Sequence, residues 1–166
     1  DPVLSRGLGD VYKRQPNVLS SGEVQRVLSH LFGQEWLISA LVYGSGLRLM
    51  EAARVRVRDI DLHNNRVQVR NGYGQVTRIT ILPEALVKSI RDHLEQRKMI
   101  HIKDLAEGHG EVYLEPHLAR TESARARSWA MQYVFTAGRC KPDPRSAGKI
   151  RRHHADERMI GQAIER

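Results

Sequence analysis

Between Tyr43 and Ala53 the chain reads Tyr43-Gly44-Ser45-Gly46-Leu47-Arg48-Leu49-Met50-Glu51-Ala52-Ala53. The two glycines permit a tight backbone turn, and a helix starting just after it sets Arg48 beside an apolar segment. A guanidinium fixed at a helix start can stabilise charge on a phosphate, with Glu51 one turn on to orient it. A plain Arg48–Glu51 pair closing a helix end accounts for the same string. The second chemical signal is charge. The 166 residues carry a net charge of +8, and residues 117–153 alone hold nine basic and two acidic side chains. Arginine outnumbers lysine 21 to 6, and the planar guanidinium fork suits phosphate better than an ammonium does. A concentrated basic stretch of this kind is the usual footprint of a nucleic-acid site, although it also serves as a solvated face. Arg54, Arg56 and Arg58 form a smaller cluster that could meet phosphates or simply be solvated.

The elements that must position these groups follow from periodicity. Ser20 with Glu23 reads as a capping box, followed by Val24, Val27, Leu28 and Leu31 at helical spacing, with Gly33 as the stop. A second helix from about Glu35 to Tyr43 is apolar on nearly every side and should be buried. After the Gly44-Ser45-Gly46 break, a short helix is predicted from Leu47 to about Ala53. Arg66 to Arg70 alternates strictly and Val76 to Leu82 nearly so, which predicts a hairpin turning at Asn71-Gly72-Tyr73-Gly74-Gln75. Pro83-Glu84 opens a long helix on Leu86, Ile90 and Leu94. A loop at Gly108 and Gly110, a helix over 122–135, a loop over 136–148 and a last helix from about Asp156 complete the reading. The predicted fold class is mainly α with a small antiparallel β-hairpin or sheet.

Composition sets bounds on function. A chain that is 40% hydrophobic and 28% charged is globular in type. It has no apolar run near the ~18 residues of a membrane span, so a membrane partner is not expected. The single cysteine, Cys140, rules out an internal disulfide and suits a reducing cytosol. The eight histidines show no zinc-ligand spacing, so neither a metal nor another cofactor is expected. Residues 1–15 hold neither a helical period nor an alternation and are similar to a translated sequencing-adapter tail. They are set aside as non-native.

The string at 43–53 is followed by Arg56-Val57-Arg58-Asp59-Ile60-Asp61, by the hairpin and by Ile81-Leu82-Pro83-Glu84. Together these resemble the catalytic domain of tyrosine recombinases, the phage integrase family. Three further strings resemble the extra segment of the integron integrases: Ala106–Leu114, Trp129–Phe135, and Asp143-Pro144-Arg145-Ser146 with Arg151-Arg152-His153-His154. The resemblance implies the first part of a recombinase catalytic domain at 16–105. It implies an integron-type insertion, with the start of the following helix, at 106–166. In that family a tyrosine attacks the scissile phosphate while two arginines and a histidine or tryptophan stabilise its charge. A hairpin lysine protonates the departing oxygen.

Carried over by matching residues, Arg48 is the first of the two arginines. Tyr73 occupies the hairpin lysine position, and no lysine lies between Lys13 and Lys88. The His-x-x-Arg motif and the nucleophilic tyrosine are expected beyond Arg166. The chain is therefore expected to bind DNA, as a folded single-stranded hairpin or a duplex, without cleaving it. Other integrase protomers are the partners expected for the full-length enzyme, in a bacterial cytoplasm. Trp129, Arg145, Arg151, Arg152, His153 and His154 match the insertion's DNA-contacting positions. Trp129 would serve equally as a core residue, and the histidines as an ordinary surface pair. A non-catalytic DNA-binding module and a phage-type recombinase acting on duplex sites remain the alternatives.

Overall fold

The structure, a computed structural model, describes residues 18–71, 74–114, 116–121 and 123–164. The suspect tail and Tyr73 lie outside these residues. The chain divides into two units, residues 1–30 and 31–166.

In the first unit, helix α1 (Ser21–Ser29) starts as expected. The Ser20 side chain accepts from the Glu23 N–H at 3.4 Å, and the Ser20 N–H donates to the Glu23 carboxylate at 2.8 Å. It stops on His30, short of the expected Gly33. Gly33 instead opens α2 (Gly33–Ser45) with a left-handed φ of 54°, a conformation glycine adopts without penalty.

In the second unit, α2 buries Leu37, Ile38 and Leu41, which makes it the central helix. Gly46 ends it in the left-handed region at φ 60°. Gly44 serves a different purpose, because a Cβ there would lie 2.6 Å from Pro83 Cγ. Its bare backbone lets the end of α2 meet the start of the later long helix. Helix α3 (Leu49–Ala53) then buries Ala52 and Ala53. A 3-10 turn at Val57–Asp59 leads into a three-stranded antiparallel sheet in the order β1 (Ile60–Asp61), β2 (Arg66–Arg70), β3 (Val76–Ile81). Strand β2 shows why it alternates: Val67 and Val69 are buried, while Gln68 and Arg70 on the opposite face are half-buried. Helix α4 (Glu84–Ala106) follows and buries Leu86 and Ile90.

The segment after α4 corrects two expectations. No helix spans 122–135. A short α5 (Pro116–Thr121) gives way to 3-10 turns at Ser123–Arg127 and Trp129–Met131. The chain then runs extended, with Tyr133 bridged to Arg56. Val57 N–H donates to the Gln132 carbonyl and Val134 N–H to the Val55 carbonyl, both at 2.9 Å. The spacing of Tyr133, Val134 and Phe135 looked helical, but these β-favouring residues find backbone partners at 55–57, and tertiary pairing overrides the local period. The buried Gln132 amide secures the turns by donating to the carbonyls of Gly110, Ala126 and Ser128. The expected loop at 136–148 contains half of a second small sheet. Strand β4 (Lys141–Asp143) pairs antiparallel with β5 (Lys149–Arg151) around a 3-10 turn at Pro144–Ser146. Strands of three residues are too short to show alternation. Helix α6 (Glu157–Ile164) closes the described chain and buries Ile160.

Helix α4 holds the segment that follows it through a polar seam at positions 93, 97, 101 and 104. His93 Nε2–H donates to the Val134 carbonyl at 2.9 Å, with its ring 5.4 Å from Phe135. His101 Nε2–H donates to the Arg127 carbonyl at 3.1 Å, with its ring 5.8 Å from Trp129. Burial pushes both imidazoles below the ordinary histidine value, and the carbonyl bonds pull the other way less strongly. The folded state therefore disfavours their protonated forms, and the unfolded chain binds more protons once the pH falls to about 6.5. Stability is expected to be level above that pH and to fall below it. A lower melting temperature at pH about 5.5 than at about 7.5, with a smaller difference in His93→Gln, would check this.

Candidate functional site

A cleft of about 330 Å³ opens where α3, the sheet and residues from Tyr133 to His154 meet. Arg48 stands at its mouth, as the residue capping α3. Its N–H donates to Glu51 Oε2 at 2.8 Å, so the backbone is fixed, but its guanidinium reaches Glu51 only at 3.8 Å and the side chain is 87% exposed. The expected Arg48–Glu51 pairing is thus mainly a backbone contact. The stronger partner of Glu51 is Arg78 of β3, which donates to both carboxylate oxygens at 2.9 and 2.7 Å and to the Gly46 carbonyl at 3.2 Å. The Arg78 hydrogen bond holds the Glu51 carboxyl below its usual range.

On the sheet side, Asp59 is buried and accepts from Arg70 Nε and from the Arg56 N–H at 3.1 Å. Arg58 Nε lies 3.9 Å from the same carboxylate. Arg70 also donates to the Gly74 carbonyl and to Gln68. Burial, followed by the charge of Arg70, lowers the pKa of Arg58, the signature of crowded cations.

Tyr133, Arg145 and His154 supply the facing wall. Arg56 lies 4.7 Å over the Tyr133 ring and donates to the carbonyls of Met131 (2.6 Å) and Tyr113 (3.1 Å). His154 meets Tyr133 edge-on, with centroids 5.4 Å apart. Arg145 stacks 3.9 Å over Tyr113, donates to Asp143 at 3.1 Å and remains 47% exposed. With exposed Arg54 at the end of α3, the lining holds six arginines and a histidine against two carboxylates, Glu51 and Asp59. Both carboxylates are already occupied, so the field inside favours an anion of phosphate type.

Of the residues singled out from the sequence, Arg48, Glu51, Arg54, Arg56, Arg58, Arg145 and His154 come together in this cleft. Trp129, Arg151, Arg152 and His153 do not line it. Arg151 donates to Asp143 at 3.3 Å and to Ser146 Oγ at 3.0 Å. Burial alone would raise the Asp143 carboxyl, but hydrogen bonds from Arg145 outweigh it and hold the group below its usual range. Arg152 grips Asp104 with two bonds of 2.6 and 2.7 Å. Half-buried His153 gives its carbonyl to the Ala137 N–H at 2.9 Å. Trp129 is half-buried against His101. Sequence reasoning missed Asp59, Arg70, Arg78 and Tyr113. The alternation of β2 could have flagged Arg70, since it places Arg66, Gln68 and Arg70 on one face. Among the described residues no group of three or more histidine, cysteine or acidic side chains could hold a metal.

The described residues form a mainly α domain with small antiparallel sheets and a cleft lined by six arginines. The chain belongs to the phage integrase family, whose model matches residues 18–159. It is 37% identical over 154 residues to integrase/recombinases of Escherichia coli and Pseudomonas aeruginosa, a match covering 93% of this chain and 45% of each relative. Tyrosine recombinase XerA of Thermococcus kodakarensis is 36% identical over 85 residues, which is 49% of this chain and 30% of that protein. The crystal structure of a XerA recombinase shares the fold, with a TM-score of 0.55 and 22% identity, over 92% of this chain and 42% of that one. The chain thus spans under half the length of these relatives. No described helix is long and apolar enough to cross a membrane.

Proposed function

We propose that this chain binds DNA as part of a site-specific tyrosine recombinase of the integron-integrase type, and that it does so without cutting the strand. The observation that carries this is the cleft itself, with six arginines against two engaged carboxylates. A backbone phosphate entering it would meet guanidinium forks on three sides, and each contact would release condensed counterions. Arg48, matched to the first arginine of the family motif, is placed to offset charge that develops on the phosphate. Arg145 and His154 bring the insertion to the same phosphate. Trp129 and His153 are assigned to the DNA strand beyond the cleft. Arg151 and Arg152 are assigned to the same side, where they act chiefly by holding the insertion through Asp143 and Asp104.

Strand transfer would need a nucleophilic tyrosine and a second arginine, and none of the chain's five tyrosines lies in that motif context. In the full-length enzyme, DNA and further protomers are the proposed partners. The second reading, a non-catalytic DNA-binding module, is favoured by Tyr73 at the lysine position.

Fluorescence anisotropy with a folded hairpin strand and with its duplex tests the reading. The integron-type assignment predicts tighter binding to the hairpin. Equal affinity would reduce the proposal to a general recombinase fragment, and loss of binding to both would remove it. A covalent protein–DNA adduct on a denaturing gel would contradict binding without cleavage.

A further inference from the structure

We infer that His154 is a proton-linked phosphate ligand, whose Nε2 takes up a proton when a DNA phosphate enters the cleft. The inference rests on the cleft being the DNA site. His154 lines the cleft beside Arg54, Arg145 and Tyr133. Its Nδ1 lies 2.8 Å from the Ala155 carbonyl. An acceptor there requires the hydrogen on Nδ1 in both protonation states, so Nε2 is the nitrogen that titrates. Two contacts hold the ring in place: the backbone bridge from His154 to Thr136 and the edge of Tyr133, which is itself covered by Arg56.

The surrounding charges set the sign. Arg54, Arg145 and His153 face the imidazole and oppose a further positive charge. The remaining cleft cations, Arg48, Arg56, Arg58 and Arg70, are of the same sign. Glu51 is held by Arg78, and Asp59 by Arg70 and the Arg56 N–H, so neither carboxylate offsets the field at His154. Burial lowers the pKa of His154 below the ordinary histidine value, against the smaller upward pull of the Ala155 carbonyl. A phosphodiester inside the cleft reverses this balance. An anion within about 4–6 Å favours the imidazolium by one to three pKa units, and protonated Nε2 becomes one more charge-assisted donor.

The binding constant for a short DNA duplex should therefore rise as the pH falls from about 8 to about 6 at fixed ionic strength. The limit is about tenfold per pH unit for a single linked proton. Calorimetry in two buffers of different ionisation heat should register uptake of a fraction of a proton. His154→Gln should lose the pH dependence. NMR of histidine-labelled wild type with and without duplex, which needs no variant, should show one imidazole whose titration moves to higher pH on binding. Binding that is independent of pH, a dependence that survives His154→Gln, or no imidazole that shifts would overturn this inference and leave the DNA site standing. A folded protein that ignores the duplex at every pH would instead remove the DNA site.

Discussion

Replacing Arg152 with alanine is expected to destabilise the fold by about 3–5 kcal/mol, the range for breaking a buried ion pair from one side. Arg152 is 14% exposed and Asp104 5% exposed. Removing the guanidinium deletes two short bonds to the carboxylate and a third, of 3.0 Å, to the Ala137 carbonyl. Asp104 would then be a buried charge lacking its principal partner. Burial pushes its carboxyl up, and it is the Arg152 hydrogen bonds, with the charge of Arg152, that bring it below the usual range. The loss matters because the pair ties the chain around Arg152 to α4. Urea denaturation should show the drop, and the double variant Asp104→Asn, Arg152→Met should recover much of it, since paired removal leaves no orphaned charge. Wild-type stability in Arg152→Ala, combined with weakened DNA binding, would make Arg152 a phosphate contact instead of a clamp.

The second large effect is the reverse case, weaker binding with an intact fold. Arg48 and Arg54 are exposed members of the cleft. Arg48→Gln with Arg54→Gln should change stability by less than about 0.5 kcal/mol, as surface substitutions usually do. If each arginine meets one phosphate, the slope of log K against log salt should become shallower by about 0.9 per contact, or nearly 2 for the pair. Affinity at low salt should fall by the order of tenfold or more. An unchanged slope would place the DNA elsewhere on the surface.

These two predictions show where the sequence was informative. Local grammar was legible: the Ser20 box, the helix stop at Gly46, the alternation of β2 and the Pro83 helix start all depend on a few neighbouring residues. Arg48 was legible for the same reason, since the turn that places it is encoded in the five residues before it. The partners of the arginines were not. Arg152 meets a carboxylate 48 positions earlier, and Arg78 one 27 positions earlier. Nothing in a linear string marks which basic residues are already committed to acids. A stretch of nine basic side chains looked like one DNA-facing surface, yet Arg151 and Arg152 are committed to Asp143 and Asp104. Arg48 and Arg54, exposed in the cleft, lie instead within residues 16–116, where thirteen basic side chains stand against twelve acidic ones. The helix expected at 122–135 failed for the same physical reason, because long-range backbone partners at 55–57 outcompeted local periodicity.

The most direct test of the central claim, that the arginine cleft grips DNA phosphates, is a salt titration of the intact chain against duplex and hairpin DNA. Binding that is strong at low ionic strength and falls linearly in log K with log salt, as several released counterions require, is the predicted result. A folded chain that shows no DNA binding at low salt, or binding indifferent to salt, would contradict it.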